Sequence, residues 1–394
     1  MADREVVILS GVRTAIGTYG GSLKDIPATR LASLCAGEAV KRAAVEPASV
    51  GHVVFGNIIH GEAKDMYMAR VAALEAGLPV GTPCLTVNRL CGSGLQAIVS
   101  ASQYILLGDC DVAVAGGAES MSRSAYFLPS ARWGQRMGDA QAVDAMTAAL
   151  HDPFGHGHMG VTAENIAARY GIGREEQDAY AVQSHARASA AQHAGRFRDQ
   201  ILPVQVKTKN GPGLFDADEH IRHGTTIEDM RKLKPAFKKD GTVTAGNASG
   251  INDAGAAVVL MERAAAQKQG LKPLARLVAY AHAGVEPQLM GLGPIPAVRR
   301  VFEKAGLKPA DMDVIESNEA FAVQAMAVTR DLGLDPARVN ANGGAVALGH
   351  PIGATGCILT VKALYELQRL RKRYALVTMC IGGGQGIAAI LERL

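Results

Sequence analysis

The sequence predicts an α/β chain built from two similar halves, with a third segment inserted between them. Three observations carry this expectation. Apolar β runs alternate with helical patterns through the first 120 residues. The last third repeats the same landmarks: Pro47-Ala48 recurs as Pro309-Ala310, 262 positions on, and Asn57, just after a β run, recurs as Asn318, 261 positions on. Val87-Asn88 likewise recurs as Val339-Asn340, 252 positions on. The stretch between them, about 121–250, differs in character and holds the single tryptophan, Trp133, and most of the histidines.

Each element follows from its pattern. The run Glu5–Ser10 reads as a β-strand. Leu31, Leu34, Cys35 and Val40 share one helical face over about Thr29–Ala44, and Val53–Gly56 returns to β. Leu85–Asn88 is a short strand, Gly94–Leu107 a helix apolar on most sides and hence buried, and Val112–Ala115 a strand expected to end at Gly116-Gly117. An Ala/Gln-rich helix covers about Arg174–Ala194 in the inserted segment. The apolar stretch Ile251–Glu262 reads as a strand returning to the first half. The expected division is therefore 1–120 plus 251–273, an insertion over 121–250, and a second half over 274–394.

Composition narrows the class. Hydrophobic residues make up 48% and charged residues 20% of 394 positions, which excludes general disorder and leaves material for a large core. Glycine contributes 45 residues, above the roughly 7% that is typical, and this points to close backbone approaches. The net charge of +4 comes from 41 basic and 37 acidic side chains, so the total does not favour nucleic acid. Six scattered cysteines with no C-x-x-C pair argue against a disulfide framework or a structural zinc site. The start, MADREVVILSGVRTAIG, reads as a strand and not as a signal peptide, and the uncharged stretches Leu90–Gly108 and Val339–Val361 are too interrupted to span a bilayer. A soluble, cytoplasmic chain is expected.

Four positions could carry chemistry. Cys91 in VNRLCGSGLQA sits where a strand gives way to a helix, flanked by glycines. Helix N–H groups aimed at the sulfur would lower its pKa and make a thiolate nucleophile; the plainer reading is a small buried apolar residue. His350 in GGAVALGHPIGATG lies at a matching junction and could take the cysteine's proton, or could simply be a hydrogen-bonded loop histidine. Cys380 in TMCIGGGQG precedes glycines whose amides could face a ligand. A dinucleotide fingerprint there fails, since only eight residues follow Gly386 and no helix and strand can be built from them. Asn318, heading NEAFA, can hold a water or cap a turn. The pair His156 and His158 has the H-x-H spacing of metal ligands, but no third ligand is suitably spaced, so no metal is expected.

Taken together, NRLCGSG around Cys91, NEAFA at 318–322, GHPIGATG at 349–356 and CIGGGQG at 380–386 resemble the signature blocks of the thiolases, in the order that family shows them. HMGVTAEN (158–165) and GNASGINDAGAAVVLM (246–261) match as well, so the resemblance spans the chain. It implies a thiolase-like fold: two duplicated βαβαβαββ halves forming a layered α-β-α-β-α core, with a loop domain inserted in the first half. It implies reversible condensation of two acyl-CoA molecules to 3-ketoacyl-CoA and CoA, with Cys91 as nucleophile, His350 as its base and Cys380 as the acid/base at the α-carbon. His350, with a water on Asn318, would form one oxyanion hole; the amides of Cys91 and Gly382 would form the other. By the same resemblance Arg222, Ser249, His158 and Met159 contact coenzyme A, and Met290 and Phe321 line the acyl pocket. Five Lys or Arg residues between Arg231 and Lys239 suit the phosphate-bearing end of CoA, or a solvated basic face.

No permanently bound cofactor is implied. Partners would be acyl-CoA and CoA, with neither nucleic acid nor membrane, and a homotetramer would use about Ser124–Ala140 for contact. More narrowly, the chain is similar to bacterial β-ketothiolases linked to polyhydroxyalkanoate synthesis. Two rival readings make different predictions. A decarboxylating ketosynthase would depend on malonyl thioesters and would not place a cysteine at 380; a silent acyl-CoA-binding scaffold would never acylate Cys91.

Overall fold

The computed structural model describes residues 4–208 and 211–394. The first half contains β1 (Val6–Thr14), α1 (Ala28–Ala43), β2 (His52–Gly56), α2 (Met68–Glu75), β3 (Cys84–Val87), α3 (Ser93–Leu107) and β4 (Val112–Ser120). The inserted segment contributes α4 (Met159–Tyr170) and α5 (Arg174–His193), and the chain returns as β5 (Asn252–Glu262). The second half contains β6 (Ala275–Gly284), α6 (Pro294–Ala305), β7 (Val314–Ser317), α7 (Ala322–Asp331), α8 (Ile352–Leu370), β8 (Tyr374–Ile381) and β9 (Gln385–Arg393).

The strands run in the order β7-β8-β9-β6-β1-β5-β4-β2-β3. Within the halves β2 pairs parallel with β4 (Val53 opposite Val114), and β7 parallel with β8 (Val314 opposite Ala375). Each member of the second pair lies 261 positions beyond its counterpart in the first. The halves meet along β1 and β6, through the antiparallel partners Val7–Arg276 and Ile8–Ala275. The strands β1, β4 and β5 are buried from end to end, as expected for strands covered on both faces.

Helices α3 and α8 form the middle layer and pack on each other, α3 also on strands of the first half and α8 on strands of both, while α1 with α2 and α6 with α7 cover the outside. Their crossing is close because glycines face backbone. A Cβ on Gly94 would run into the Cys357 amide and the Gly353 carbonyl, and one on Gly356 into the Leu95 amide. The uncharged stretch Leu90–Leu107 is long and apolar enough by composition to cross a bilayer, but more than half of it is buried and its helix packs against α8 and the strands β2, β4 and β5.

Two expectations change. Strand β4 does not stop at Gly116-Gly117 but continues to Ser120. These glycines make room: a Cβ on Gly116 would strike the Phe55 ring, and one on Gly117 the Gly353 carbonyl at the start of α8. The inserted segment leaves the first half yet does not rest only on it. Helices α4 and α5 pack against α7 of the second half, and Ile201–Leu202 adds in parallel beside β1.

Candidate active site

The ends of β3, β7 and β8 and the starts of α3 and α8 converge on one cavity of about 690 Å³. Cys91, His350, Cys380 and Gly382 all lie on its wall.

Cys91 follows a strained turn. Leu90 has φ +44, in the left-handed region that side chains with a Cβ seldom adopt. Local bonds hold it: Gly92 N–H donates to Arg89 O at 3.0 Å, and Ser93 Oγ donates to Leu90 O at 2.7 Å. Helix α3 then starts with Gly92 as its N-cap. His350 also stands one residue ahead of its N-cap, Pro351 of α8. The match is one of cap position only, since Cys91 lies three residues before the crossing glycine Gly94 and His350 six before Gly356.

The histidine is held from both sides. Its backbone N–H donates to Asn252 Oδ1 at 2.9 Å, and a Cβ on Gly349 (φ +104) would strike that Asn252 side chain. Its Nδ1 lies 2.7 Å from Thr355 Oγ1, whose own proton is committed to Pro351 O at 2.9 Å. The hydroxyl must therefore accept, so Nδ1 carries the hydrogen and Nε2 presents a lone pair. Asn318 Nδ2 stands 3.4 Å from that Nε2. Asn318 itself is fully buried behind the imidazole and is not part of the cavity wall.

Cys380 is the residue before the end of β8 and pairs with Gly386 across a hairpin. Gly383 (φ +79) and Gly384 (φ +86) make the turn, which leads into β9 and not into a helix. The Gly382 amide is aimed back at the Cys91 sulfur.

Electrostatics overturns one expectation. The Cys91 thiol is not shifted downward: burial pushes it up to about 11, although the Gly382 amide and its own amide pull the other way. Desolvating a thiolate costs more than these N–H groups and the helix end return. Burial also raises the Cys380 thiol, and a charge on Cys91 raises it further. His350 is brought down to about 4 by burial. The resting site thus holds two neutral thiols and a neutral imidazole whose lone pair is available as a base.

Arg222, Ser249, His158 and Met159, expected at coenzyme A, and Met290 and Phe321, expected in the acyl pocket, all line the same cavity. His158 caps α4 by accepting from Gly160 N–H at 3.0 Å, and its ring stacks on Phe237 at 4.7 Å. Ser249 is set by its N–H bond to Ala320 O at 3.0 Å, which ties the inserted segment to the NEAFA loop. The basic run behaves differently from its sequence. Ala236 and Phe237 reach the cavity, but none of the five cations does. Arg231 pairs with Glu175 and Glu228, Lys232 with Asp229, and Lys238 with the Asn165 amide oxygen.

Sequence reasoning missed Asn252, Thr355, Asn57 and Glu119. Glu119 did leave a signal, as a carboxylate closing the otherwise uncharged strand VAVAGGAE. Asn252 left none that separates it from an ordinary strand-edge asparagine.

Comparison with known proteins identifies the family. The thiolase N-terminal domain family matches residues 6–264 and the thiolase C-terminal domain family residues 271–393. The chain is 65% identical to beta-ketothiolase BktB of Cupriavidus necator over 392 residues, covering 99% of this chain and 100% of that protein. It is 50% identical to an acetyl-CoA acetyltransferase of Allochromatium vinosum, with both chains covered in full. Human mitochondrial 3-ketoacyl-CoA thiolase superposes with a TM-score of 0.98 at 45% identity over the whole of both chains. A CoA complex of that human enzyme gives 0.96 at 45% identity, over 99% of this chain and 98% of that one. The chain belongs to the thiolase family.

Proposed function

We propose that this thiolase interconverts two acyl-CoA molecules with 3-ketoacyl-CoA and CoA through an acyl-cysteine on Cys91, with His350 and Cys380 moving the protons. The observation that carries the reading is the uncharged triad on one cavity wall, two neutral thiols and an imidazole whose unprotonated Nε2 faces the Asn318 amide. In thiolysis Cys91 gives its proton to Nε2 as its sulfur attacks the 3-keto carbon. The bond between carbons 2 and 3 breaks, and the departing acetyl-CoA carbanion takes the Cys380 proton. Incoming CoA returns a proton to Cys380 and attacks the acyl group; Cys91 leaves as a thiolate and recovers its proton from His350. All three groups end as they began, and condensation is the same path reversed. Release of one product before the second substrate enters makes the kinetics ping-pong.

Negative oxygen develops twice. Amides of Cys91 and Gly382 suit the tetrahedral step at the acyl-cysteine; His350, with a water on Asn318, suits the thioester enolate oxygen. Each donor of this kind typically contributes 10²–10³ in rate, to order of magnitude. Coenzyme A enters past Arg222 and Ser249, its pantetheine arm along His158 and Met159 and the acyl chain toward Met290 and Phe321. We read the chain as three parts, 1–120 with 251–273, 121–250 and 274–394. Homotetramer formation through Ser124–Ala140 is favoured by the apolar side chains that loop exposes, with Trp133 89% and Met137 86% accessible. The test is thiolysis of 3-ketoacyl-CoA of increasing length, with intact-protein mass spectrometry of wild type and Cys91→Ser. An acyl adduct on wild type only is expected; turnover by Cys91→Ser would refute the assignment.

A further inference from the structure

Glu119 is a charged residue near the active site for which the mechanism above has no use. It is the penultimate residue of strand β4 and has no solvent exposure. Its carboxylate collects four donors. Oε1 accepts from Asn57 Nδ2 at 2.9 Å and from Ile59 N–H at 3.1 Å; Oε2 accepts from Ile58 N–H at 3.2 Å and from Gly353 N–H at 2.9 Å. The first three belong to the loop after β2 in the first half. The fourth belongs to the first turn of α8, three residues after His350, in the second half. A single side chain thus fastens the histidine's helix to the half of the molecule that carries the cysteine.

The contact set consists of N–H groups, which suits an ionised carboxylate and offers no acceptor to an acid proton. Burial nevertheless pushes this acid up to about 8, with the amides of Ile59, Gly353 and Ile58 pulling down and the neighbouring Asp65 adding to the rise. Its charge is also felt at Cys91, where it acts in the same direction as burial and favours the thiol.

We propose that Glu119 is a positioning residue for the thiolase reaction: its side chain anchors the start of α8, and so His350, to the Asn57–Ile59 loop. This rests on Cys91 being the nucleophile and His350 its base.

The experiment compares wild type, Glu119→Gln and Glu119→Asp by kcat and KM for acetoacetyl-CoA thiolysis. Glu119→Gln turns an amide toward the Ile58 and Gly353 N–H groups. Its kcat falls at least tenfold while KM stays within about twofold, because the base is displaced and not the binding site. Glu119→Asp keeps the carboxylate but is too short to span both halves, so kcat falls there too while KM holds. A KM that rises in step with the loss of kcat refutes the positioning of His350. A wild-type kcat for Glu119→Asp refutes the anchoring role, and remains informative if Glu119→Gln does not fold. Absence of an acyl adduct on Cys91 in the wild type would instead sink the nucleophile assignment, a separate outcome.

Discussion

Replacing Cys380 by serine separates the two half-reactions. Cys380 is 1% exposed, and its thiol is raised by burial and by charge on Cys91. A serine hydroxyl fits the space but neither gives nor takes a proton in the working pH range. A positioned acid/base contributes roughly 10²–10⁴ in rate, which is about 2.7–5.4 kcal/mol at 1.36 kcal/mol per decade. That whole amount should vanish from condensation, where the α-carbon proton must be removed. Acylation by acetyl-CoA should survive at a reduced rate, because CoA is a good leaving group and can depart as its thiolate where Cys380 would otherwise protonate it. Mass spectrometry of the variant after mixing with acetyl-CoA should therefore show acyl-Cys91, while the condensation assay reads at least a hundredfold below wild type. Condensation at the wild-type rate would refute the role of Cys380. Loss of the acyl adduct as well would refute the separation of steps.

Further outcomes follow from the same coordinates. Arg222→Ala, which removes the cavity's guanidinium, should raise KM for acyl-CoA about tenfold or more with kcat little changed, since a charge-assisted hydrogen bond is worth about 1.5–3 kcal/mol; steady-state kinetics reads it. Gly356→Ala drives a methyl into the Leu95 backbone at the α3–α8 crossing and should cost at least about 1–3 kcal/mol, seen as a lower urea midpoint. Lys362 and Glu316 form an ion pair at 2.6 Å, each 2% exposed, and burial raises the Glu316 acid even with Lys362 beside it. Lys362→Met alone should cost about 3–5 kcal/mol, and adding Glu316→Leu should recover much of that. His185, His220, His282 and His350 are each lowered to about 4, chiefly by burial. The unfolded chain takes up these protons near pH 6.5 and the folded chain not until about 4, so stability falls as pH drops through that window. The melting temperature should be lower at pH 5 than at pH 7, with a smaller difference in His185→Gln; an unchanged difference would contradict the assignment.

Sequence alone was sufficient for the repeating frame and for the chemistry-bearing blocks. Pattern reports what a residue does within its own strand or helix: β1, α1, α3 and β5 follow from apolar periodicity, and the recurrence of Asn57 as Asn318 appears in space as the equivalent ends of β2 and β7. Glycine-flanked Cys91 and His350 stand out for the same local reason. Distance along the chain, however, carries no information about what lies across a cavity. Only the folded chain decided that Cys91 would be desolvated enough to rest as a thiol, contrary to what its helix end suggests in isolation. Tertiary packing likewise set Arg231 beside Glu175 of α5 and sent Phe237, not the cations of the basic run, into the cavity. The Thr355 hydroxyl fixed the histidine tautomer, and Glu119 spanned 234 positions to reach Gly353. Burial and proton direction are sums over neighbours from distant segments, so they exist only once those segments have been brought together.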